Sequence, residues 1–110
     1  MASRLREFAR ERDWEQFHTP KNLSMALAVE AAELMELFQW AEGGHTELSD
    51  DERARASQEM ADVLIYLVRM ADVLDVDLIA AAAMKIAANA LKYPADRVRG
   101  RSQKYDRYEL

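Results

Sequence analysis

The spacing of apolar residues along the chain predicts four amphipathic helices joined by short polar segments. The predicted helices cover residues 3–11, 20–41, 50–74 and 78–92. Within them apolar side chains recur every three or four positions, which is the period of one helix face. The third helix carries a clear core stripe, formed by Met60, Leu64, Leu67, Ala71 and Leu74. Long amphipathic helices with short connections indicate an all-α, antiparallel four-helix bundle.

Residues at the predicted helix ends support these boundaries. Thr19-Pro20 fits a cap followed by the first position of the second helix, and Ser49 with Glu52 fits the capping box before the third. A tyrosine–proline pair ends the fourth helix, because the residue before a proline disfavours the helical conformation. The sequence after that pair, residues 95–110, is polar and basic. We predict that it forms an extended tail.

Glu30 interrupts the apolar face of the second helix. The apolar positions of that face are Leu23, Leu27, Leu34, Leu37 and Ala41. At about 100° per residue, Glu30 falls near the middle of this stripe. A carboxylate in a face that the helix must bury is costly unless it is protonated, paired with a cation or bound to a metal. The alternative is that the Glu30 side chain bends away and reaches solvent.

Three further carboxylates repeat the same helical spacing. Glu30 and Glu33 are three residues apart on the second helix, as are Glu59 and Asp62 on the third, so each pair shares one helix surface. No basic residue on these helices is spaced to pair with all four acids. Oxygen ligands without cysteine or a suitable histidine favour Mg²⁺, with Mn²⁺ as a substitute. A di-iron bundle would need Glu-x-x-His motifs, and neither histidine supplies one.

The fourth helix carries polar residues on one face of an otherwise alanine-rich sequence. Lys85, Asn89 and Lys92 are spaced at i, i+4 and i+7, and Tyr93 adjoins them. Mg²⁺ that is held by carboxylates usually has a phosphate as its other partner. Taken with the acids, these residues indicate a phosphate-binding role; the alternative is an ordinary solvated lysine face.

Composition narrows the class of protein. The 110 residues suit one domain, predicted to span residues 1–110 with its helical core in residues 3–94. The 15 basic and 20 acidic residues give a net charge of −5, which argues against polymeric nucleic acid as a partner. The chain contains no cysteine and no apolar stretch of signal-peptide or transmembrane length. A cytoplasmic protein with no membrane partner is therefore predicted.

The combined motifs resemble a known enzyme superfamily. Glu-x-x-Glu on one helix, Glu-x-x-Asp on the next and K-x-x-x-N-x-x-K-Y-P on a third resemble the MazG-like, all-α nucleoside triphosphate pyrophosphohydrolases. Several segments look closest to the dCTP pyrophosphatase branch: RDWEQFHTPKNL (12–23), ELFQW (36–40), DVLIYL (62–67) and KYP (92–94). The resemblance runs from about Arg6 to Tyr105. It implies the MazG-like helical bundle, assembled as a homodimer or homotetramer.

The resemblance also implies a role for each group of residues. Family members hydrolyse a (deoxy)nucleoside triphosphate to the monophosphate and pyrophosphate with Mg²⁺. By position, the implied metal-binding and catalytic residues are Glu30, Glu33, Glu59 and Asp62. The implied phosphate-binding residues are Lys85, Asn89, Lys92, Tyr93 and, in the tail, Lys104 with Ser102. The implied base-binding residues are Trp14, His18, Trp40 and Tyr66, with Asn22 nearby.

The predicted function is metal-assisted hydrolysis of dCTP or modified cytosine nucleotides, which would keep the nucleotide pool clean. Glu33 is one candidate for the acid that takes the proton from water, and that assignment stays open. The alternatives are a related pyrophosphohydrolase acting on dUTP, other nucleoside triphosphates or phosphoribosyl-ATP, and a helical protein that binds Mg²⁺ or a partner without catalysis. Apolar residues on further flanks of the second and third helices, among them Val29, Met35 and Ile65, independently predict a homo-oligomer.

Overall fold

The computed structural model describes residues 1–40 and 47–101, and within these ranges all regular secondary structure is helical. The helices are α1 (Ala2–Glu11), a 3₁₀ helix (Glu15–Phe17), α2 (Pro20–Glu36), α3 (Asp50–Val73), α4 (Leu78–Lys92) and α5 (Ala95–Val98). The predicted all-α class is confirmed. None of the helices in these ranges combines the length and the apolar character that crossing a bilayer requires.

The predicted helix starts are confirmed by hydrogen bonds from their caps. The hydroxyl of Thr19 accepts the backbone N–H of Asn22 at 3.1 Å, at the start of α2. At the start of α3 the capping box is complete: Ser49 Oγ accepts the Glu52 N–H, and Glu52 Oε1 accepts the Ser49 N–H, both at 3.1 Å. These bonds satisfy backbone donors that have no partner inside the helix, which fixes where α2 and α3 begin.

The predicted end of the second helix is wrong. α2 ends at Glu36 rather than near Ala41, and the next residues form tight turns. The N–H groups of Leu37 and Phe38 donate to carbonyls three residues back, at 3.3 and 3.0 Å, instead of four. Such bonds tighten the last turn of a helix and end it. The apolar spacing continues past this point, so the pattern alone extends the helix too far.

The predicted extended tail is wrong for its first residues. Residues 95–98 form the short helix α5, in which the N–H groups of Arg97 and Val98 donate to the Pro94 carbonyl at 2.9 and 3.1 Å. Pro94 has φ near −57°, and a proline with this fixed φ suits the start of a helical turn. The remainder of the predicted tail, residues 102–110, lies outside the described residues, and so do residues 42–45 of the segment predicted to join the second and third helices.

The chain divides into two compact units, of which the first is Met1–Val76 and the second begins at Asp77. In the first unit α3 is the central element, because both α1 and α2 pack against it. In residues 1–40 and 47–76 of this unit, four apolar residues are buried: Ala9, Leu23, Ala56 and Ala71. The second unit contains α4 and α5, and the side chain of Asp77 caps α4 by accepting the N–H of Ala80 at 3.0 Å.

The core stripe predicted on α3 is only partly buried. Ala71 is buried and Leu67 is partly buried, as predicted. Met60, Leu64 and Leu74 are exposed by 59%, 43% and 48%, so their assignment to the core is wrong for the single chain. Helix periodicity identifies an apolar face but does not identify what covers it, and α1 and α2 cover only part of α3.

Candidate functional site

Three carboxylates from two helices meet where α2 packs on α3. One carboxylate oxygen from each of Glu30, Glu33 and Glu59 lies within 4.8 Å of the others, and we call these three residues the acidic cluster. Moving along α2 from Glu30 to Glu36, the facing residues of α3 run backwards from Asp62 to Arg55. The two helices are therefore antiparallel, which brings the Glu-x-x-Glu motif of one beside the Glu-x-x-Asp motif of the other.

The acidic cluster contains two buried oxygens without hydrogen-bond partners. They are Oε2 of Glu30 and Oε2 of Glu59, and no group in residues 1–40 or 47–101 bonds to either. Burial, together with the neighbouring carboxylates of Glu33 and Glu59, raises the pKa of Glu30 to about 7. Glu30 therefore does face α3, and at neutral pH the cluster holds either a proton or the additional negative charge of Glu30.

This raised pKa makes the stability of the metal-free protein depend on pH. In a chelator, we expect the free energy of unfolding to fall as the pH rises from about 5 to about 8. Folded Glu30 keeps its proton up to about pH 7, whereas unfolded Glu30 loses it near 4.5. The folded state binds more protons in this interval, so raising the pH favours unfolding.

Chemical denaturation across that pH interval measures the effect. The Glu30→Gln variant is the matched control because its side chain cannot titrate. Its unfolding free energy should depend less steeply on pH than that of the wild type. Equal slopes for the two proteins would contradict the raised pKa.

Beside the acidic cluster lies a cavity of about 190 Å³. Two acids, Glu30 and Asp62, form part of its wall. Its other lining residues are Leu5, Phe8, Trp14, His18, Ile65, Tyr66 and Arg69. Three of the four residues predicted to bind a base thus line one cavity together with two of the predicted metal ligands. We call this space the aromatic cavity.

The turn after α1 positions Trp14 in this cavity. Asp13 adopts a left-handed backbone with φ of 55°, and the N–H of Trp14 donates to the Ala9 carbonyl at 2.9 Å. With the Asp13 N–H on the Arg10 carbonyl at 3.1 Å, this is the Schellman arrangement that ends a helix. The Trp14 ring meets the Phe8 ring edge to face, with centroids 5.8 Å apart, and lies 6.5 Å from the His18 ring.

On the other side of the acidic cluster lies a more open, polar cleft of about 530 Å³. Glu33 and Glu59 line this cleft, whereas Glu30 lines the aromatic cavity. The cleft is also lined by Glu36, Leu37, Gln39, Arg55 and Gln58. The acids therefore stand between an apolar, aromatic space and a polar one.

Two other predicted site residues of the first unit, Trp40 and Asn22, do not line the aromatic cavity. Trp40 is 86% exposed and does not line the aromatic cavity. The side-chain amide of Asn22 donates to the Phe17 carbonyl at 2.9 Å, which ties α2 to the 3₁₀ helix before it.

In the second unit, the predicted phosphate-binding residues Lys85, Asn89 and Lys92 lie on one face of α4. Tyr93 follows the helix, and its N–H donates to the Asn89 carbonyl at 2.8 Å. Ser102 and Lys104 lie outside the described residues.

Arg69 and Phe8 line the cavity but were not among the predicted site residues. Arg69 is only 7% exposed, and its guanidinium contacts His18 and Asp72. The sequence carries a signal for it, because Asp62, Tyr66 and Arg69 are spaced at i, i+4 and i+7 on α3. The contact with His18 spans 51 residues, and helix periodicity gives no information about such a contact.

The residues present fit a divalent cation. Oxygens that bind one Mg²⁺ at about 2.1 Å lie at most about 4.2 Å apart, so small side-chain movements would bring the acidic cluster to ligating distance. Within the described residues of the first unit, no lysine or arginine forms an ion pair with these acids. Buried carboxylate oxygens without hydrogen-bond partners are what a metal ion would relieve. The cluster can therefore hold a metal ion.

Comparison with known proteins identifies similar chains. The sequence profile of the MazG-like family matches residues 25–107. Human dCTP pyrophosphatase 1 is 51% identical over 102 residues, which are 90% of this chain and 60% of the relative. The rat dCTP pyrophosphatase 1 is 50% identical with the same coverage, so the chain spans about 60% of the length of these curated relatives.

A solved structure is similar in fold as well as in sequence. The crystal structure of a pyrophosphatase from Archaeoglobus fulgidus superposes with a TM-score of 0.71 at 41% sequence identity. The superposition covers 84% of this chain and 87% of that one. The family resemblance noted from the motifs, with its closeness to the dCTP pyrophosphatase branch, is confirmed by these matches. The chain belongs to the MazG-like family.

Proposed function

We propose that the protein is a Mg²⁺-dependent nucleoside triphosphate pyrophosphohydrolase that converts dCTP, or modified cytosine nucleotides, to the monophosphate and pyrophosphate. One observation carries the proposal: Glu30 and Glu59 have buried, unpartnered carboxylate oxygens, and Glu30 also lines the cavity that contains Trp14, His18 and Tyr66. The first feature suits a metal, and the second suits a planar base. Similarity to dCTP pyrophosphatase 1 supports cytosine as that base.

The acids are proposed to hold the metal. Glu30, Glu33 and Glu59 would supply ligands directly, and Asp62 lies next to Glu30 in the cavity wall. Bound Mg²⁺ would supply charge neutralisation for the triphosphate and lower the pKa of a coordinated water. Mn²⁺ has similar ligand preferences and is the proposed substitute.

The nucleotide is proposed to span the two spaces on either side of the acids. Trp14 would stack on the base while His18 and Tyr66 meet its polar edge. The triphosphate would extend past the acidic cluster into the open cleft, where Arg55 offers a positive charge. Glu33 is exposed and lines the cleft, so we infer that the carboxylate oxygen of Glu33 that does not bind the metal takes the proton from the attacking water.

The second unit is proposed to contribute further phosphate contacts. Lys85, Asn89 and Lys92 share one exposed face of α4. Tyr93 follows them, and Lys104 is the proposed contact from the tail. Ammonium and amide donors on one face match the oxygens of a pyrophosphate group, which supports their assignment to the departing product.

The experiment that tests this function is the release of pyrophosphate from a panel of triphosphates. With Mg²⁺, turnover of dCTP should exceed that of dUTP and of the other common nucleotides. Preference for dUTP or phosphoribosyl-ATP would identify a related pyrophosphohydrolase instead. Binding of Mg²⁺ without pyrophosphate release from any nucleotide would favour a non-catalytic metal-binding protein.

We propose that the helices complete a four-helix bundle and that the chain works as a homodimer or homotetramer in the cytoplasm. Several apolar side chains of α2 and α4 are strongly exposed in the single chain. They include Met25 at 59%, Met35 at 60%, Ile79 at 81%, Met84 at 74% and Leu91 at 83%. Soluble monomers rarely leave so much apolar surface uncovered, so a second copy is the expected partner.

Trp40, at 86% exposure, is then proposed to reach a base pocket of the partner.

Light scattering coupled to gel filtration should therefore give twice or four times the mass of one chain. Met84→Lys and Leu91→Lys would put charge on the exposed apolar surface of α4 and should shift the protein toward the monomer. Lys21→Glu, at an exposed polar position of α2, serves as the control and should leave the mass unchanged. A wild-type protein with the mass of one chain at all accessible concentrations would contradict the oligomer.

A further inference from the structure

Arg69 is a buried cation that links α3 to the segment before α2. Its Nε–H donates to Nδ1 of His18 at 3.0 Å, and its Nη1 donates to Oδ2 of Asp72 at 3.0 Å. Asp72 also accepts from Arg6, whose Nε and Nη2 lie 3.0 and 2.6 Å from the two carboxylate oxygens. The hydrogen bond from Arg6, with further help from Arg69, lowers the pKa of Asp72. The carboxylate therefore stays charged and holds Arg69 in place.

The bond to His18 fixes where the imidazole proton can be. A guanidinium is always protonated and can only donate, so Nδ1 of His18 must offer its lone pair. The proton of neutral His18 is then on Nε2, which is the ring nitrogen left for a ligand in the aromatic cavity. A second proton would remove the acceptor and set two cations against each other. Burial and the positive charge of Arg69 lower the pKa of His18, in agreement with the neutral ring.

We propose that Arg69 is a specificity-determining positioning residue, which holds His18 as a fixed Nε2–H donor toward the acceptor edge of a cytosine base. This inference rests on the proposed function, since it names what selects the base in the same site. The ring nitrogen N3 of cytosine accepts a hydrogen bond, whereas N3 of uracil and thymine carries a hydrogen and donates. A fixed Nε2–H donor forms a hydrogen bond with N3 of cytosine. With uracil or thymine, the same donor faces the N3–H group, and no hydrogen bond can form. A buried polar mismatch of this kind is what allows a site to reject a close analogue.

Without Arg69, the histidine can exchange tautomers. Nε2 can then accept from the N3–H group of uracil as readily as it donates to cytosine. The selectivity should therefore fall while the cavity itself persists, because Asp72 keeps Arg6 as a partner. Arg69 does not meet the reacting phosphates in this arrangement; it acts through His18.

The first test reads the tautomer directly in the metal-free protein. ¹⁵N NMR of imidazole-labelled protein distinguishes a protonated from an unprotonated ring nitrogen, and His18→Gln assigns the signals of the two histidines. We expect Nδ1 of His18 to be unprotonated and Nε2 protonated in the wild type, and a tautomer mixture in Arg69→Met. A wild-type His18 with its proton on Nδ1 would overturn the proposal, whether or not any variant folds.

The second test measures selectivity as the ratio of kcat/KM for dCTP over dUTP. Arg69→Met should lower this ratio about tenfold, the equivalent of one hydrogen bond. Arg6→Ala removes the outer ion pair with Asp72 but leaves Arg69 on His18, so its ratio should stay at the wild-type value. An unchanged ratio in a folded Arg69→Met protein would overturn the specificity role. If the wild type turns over no nucleotide, the proposed function fails, yet the NMR result still decides the tautomer.

Discussion

Replacing Glu30 with glutamine is expected to reduce pyrophosphate release from dCTP by at least about 100-fold, because loss of a group that only supports a metal ligand already costs 10–100-fold. The amide keeps the size of the side chain and removes its charge. Glu30 is the member of the acidic cluster that adjoins both the other acids and the aromatic cavity. Loss of the Glu30 carboxylate should therefore both weaken Mg²⁺ binding and misplace the nucleotide.

The same change should make the metal-free protein more stable above neutral pH. The wild type must then bury the unpartnered charge of Glu30 next to Glu33 and Glu59, whereas the variant buries a neutral group. Chemical denaturation in a chelator measures this gain, and a pyrophosphate assay measures the loss of activity. A substitution that lowers activity but raises stability is typical of a residue that is retained for function.

Asp51→Asn is a suitable control for the charge change. Asp51 is exposed in the first turn of α3, so the substitution removes one negative charge without touching the cluster. It should leave turnover close to the wild-type value. Full activity of Glu30→Gln at limiting Mg²⁺ would contradict a role for Glu30 in holding the metal.

Trp14→Ala is expected to lower kcat/KM for dCTP by roughly 5- to 150-fold, which corresponds to about 1–3 kcal/mol for one base stacked on an aromatic ring. The Trp14 ring is 44% exposed and borders the aromatic cavity, so one of its faces is available to a ligand. Packing against Phe8 holds it there edge to face. Most of the loss should be in KM, because stacking holds the base throughout the reaction.

Phe17→Ala is the matched aromatic control. Phe17 is 57% exposed on the neighbouring 3₁₀ helix, but it does not line the aromatic cavity. Its removal should change kcat/KM for dCTP little. A Trp14→Ala variant as active as Phe17→Ala would show that the base binds elsewhere.

The sequence allowed the prediction of those features that depend on neighbours along one helix. The capping box of Ser49 and Glu52 follows from local hydrogen bonding, and α3 begins where it predicts. The unusual position of Glu30 is also a local feature, because periodicity alone places this charged residue in an apolar stripe. That Glu30 meets Glu59 follows from the packing of α2 on α3.

Helix periodicity does not predict contacts between segments that are far apart along the chain. The bond from Arg69 to His18 joins a helix to a turn 51 residues away, so neither residue indicates the other. Periodicity places the end of α2 too far along the chain, because Leu37 and Phe38 continue the apolar spacing while their N–H groups already bond three residues back. The exposure of Met60 shows the same limit, since an apolar stripe predicts burial without naming what buries it.

The most direct test is a crystal structure with Mn²⁺ and a nonhydrolysable dCTP analogue, examined for anomalous scattering from the metal. The proposal predicts a metal peak among the carboxylates of Glu30, Glu33 and Glu59, with the base beside Trp14 and phosphate oxygens on the metal. A bound nucleotide whose phosphates lie away from these carboxylates, with no metal peak between α2 and α3, would contradict it.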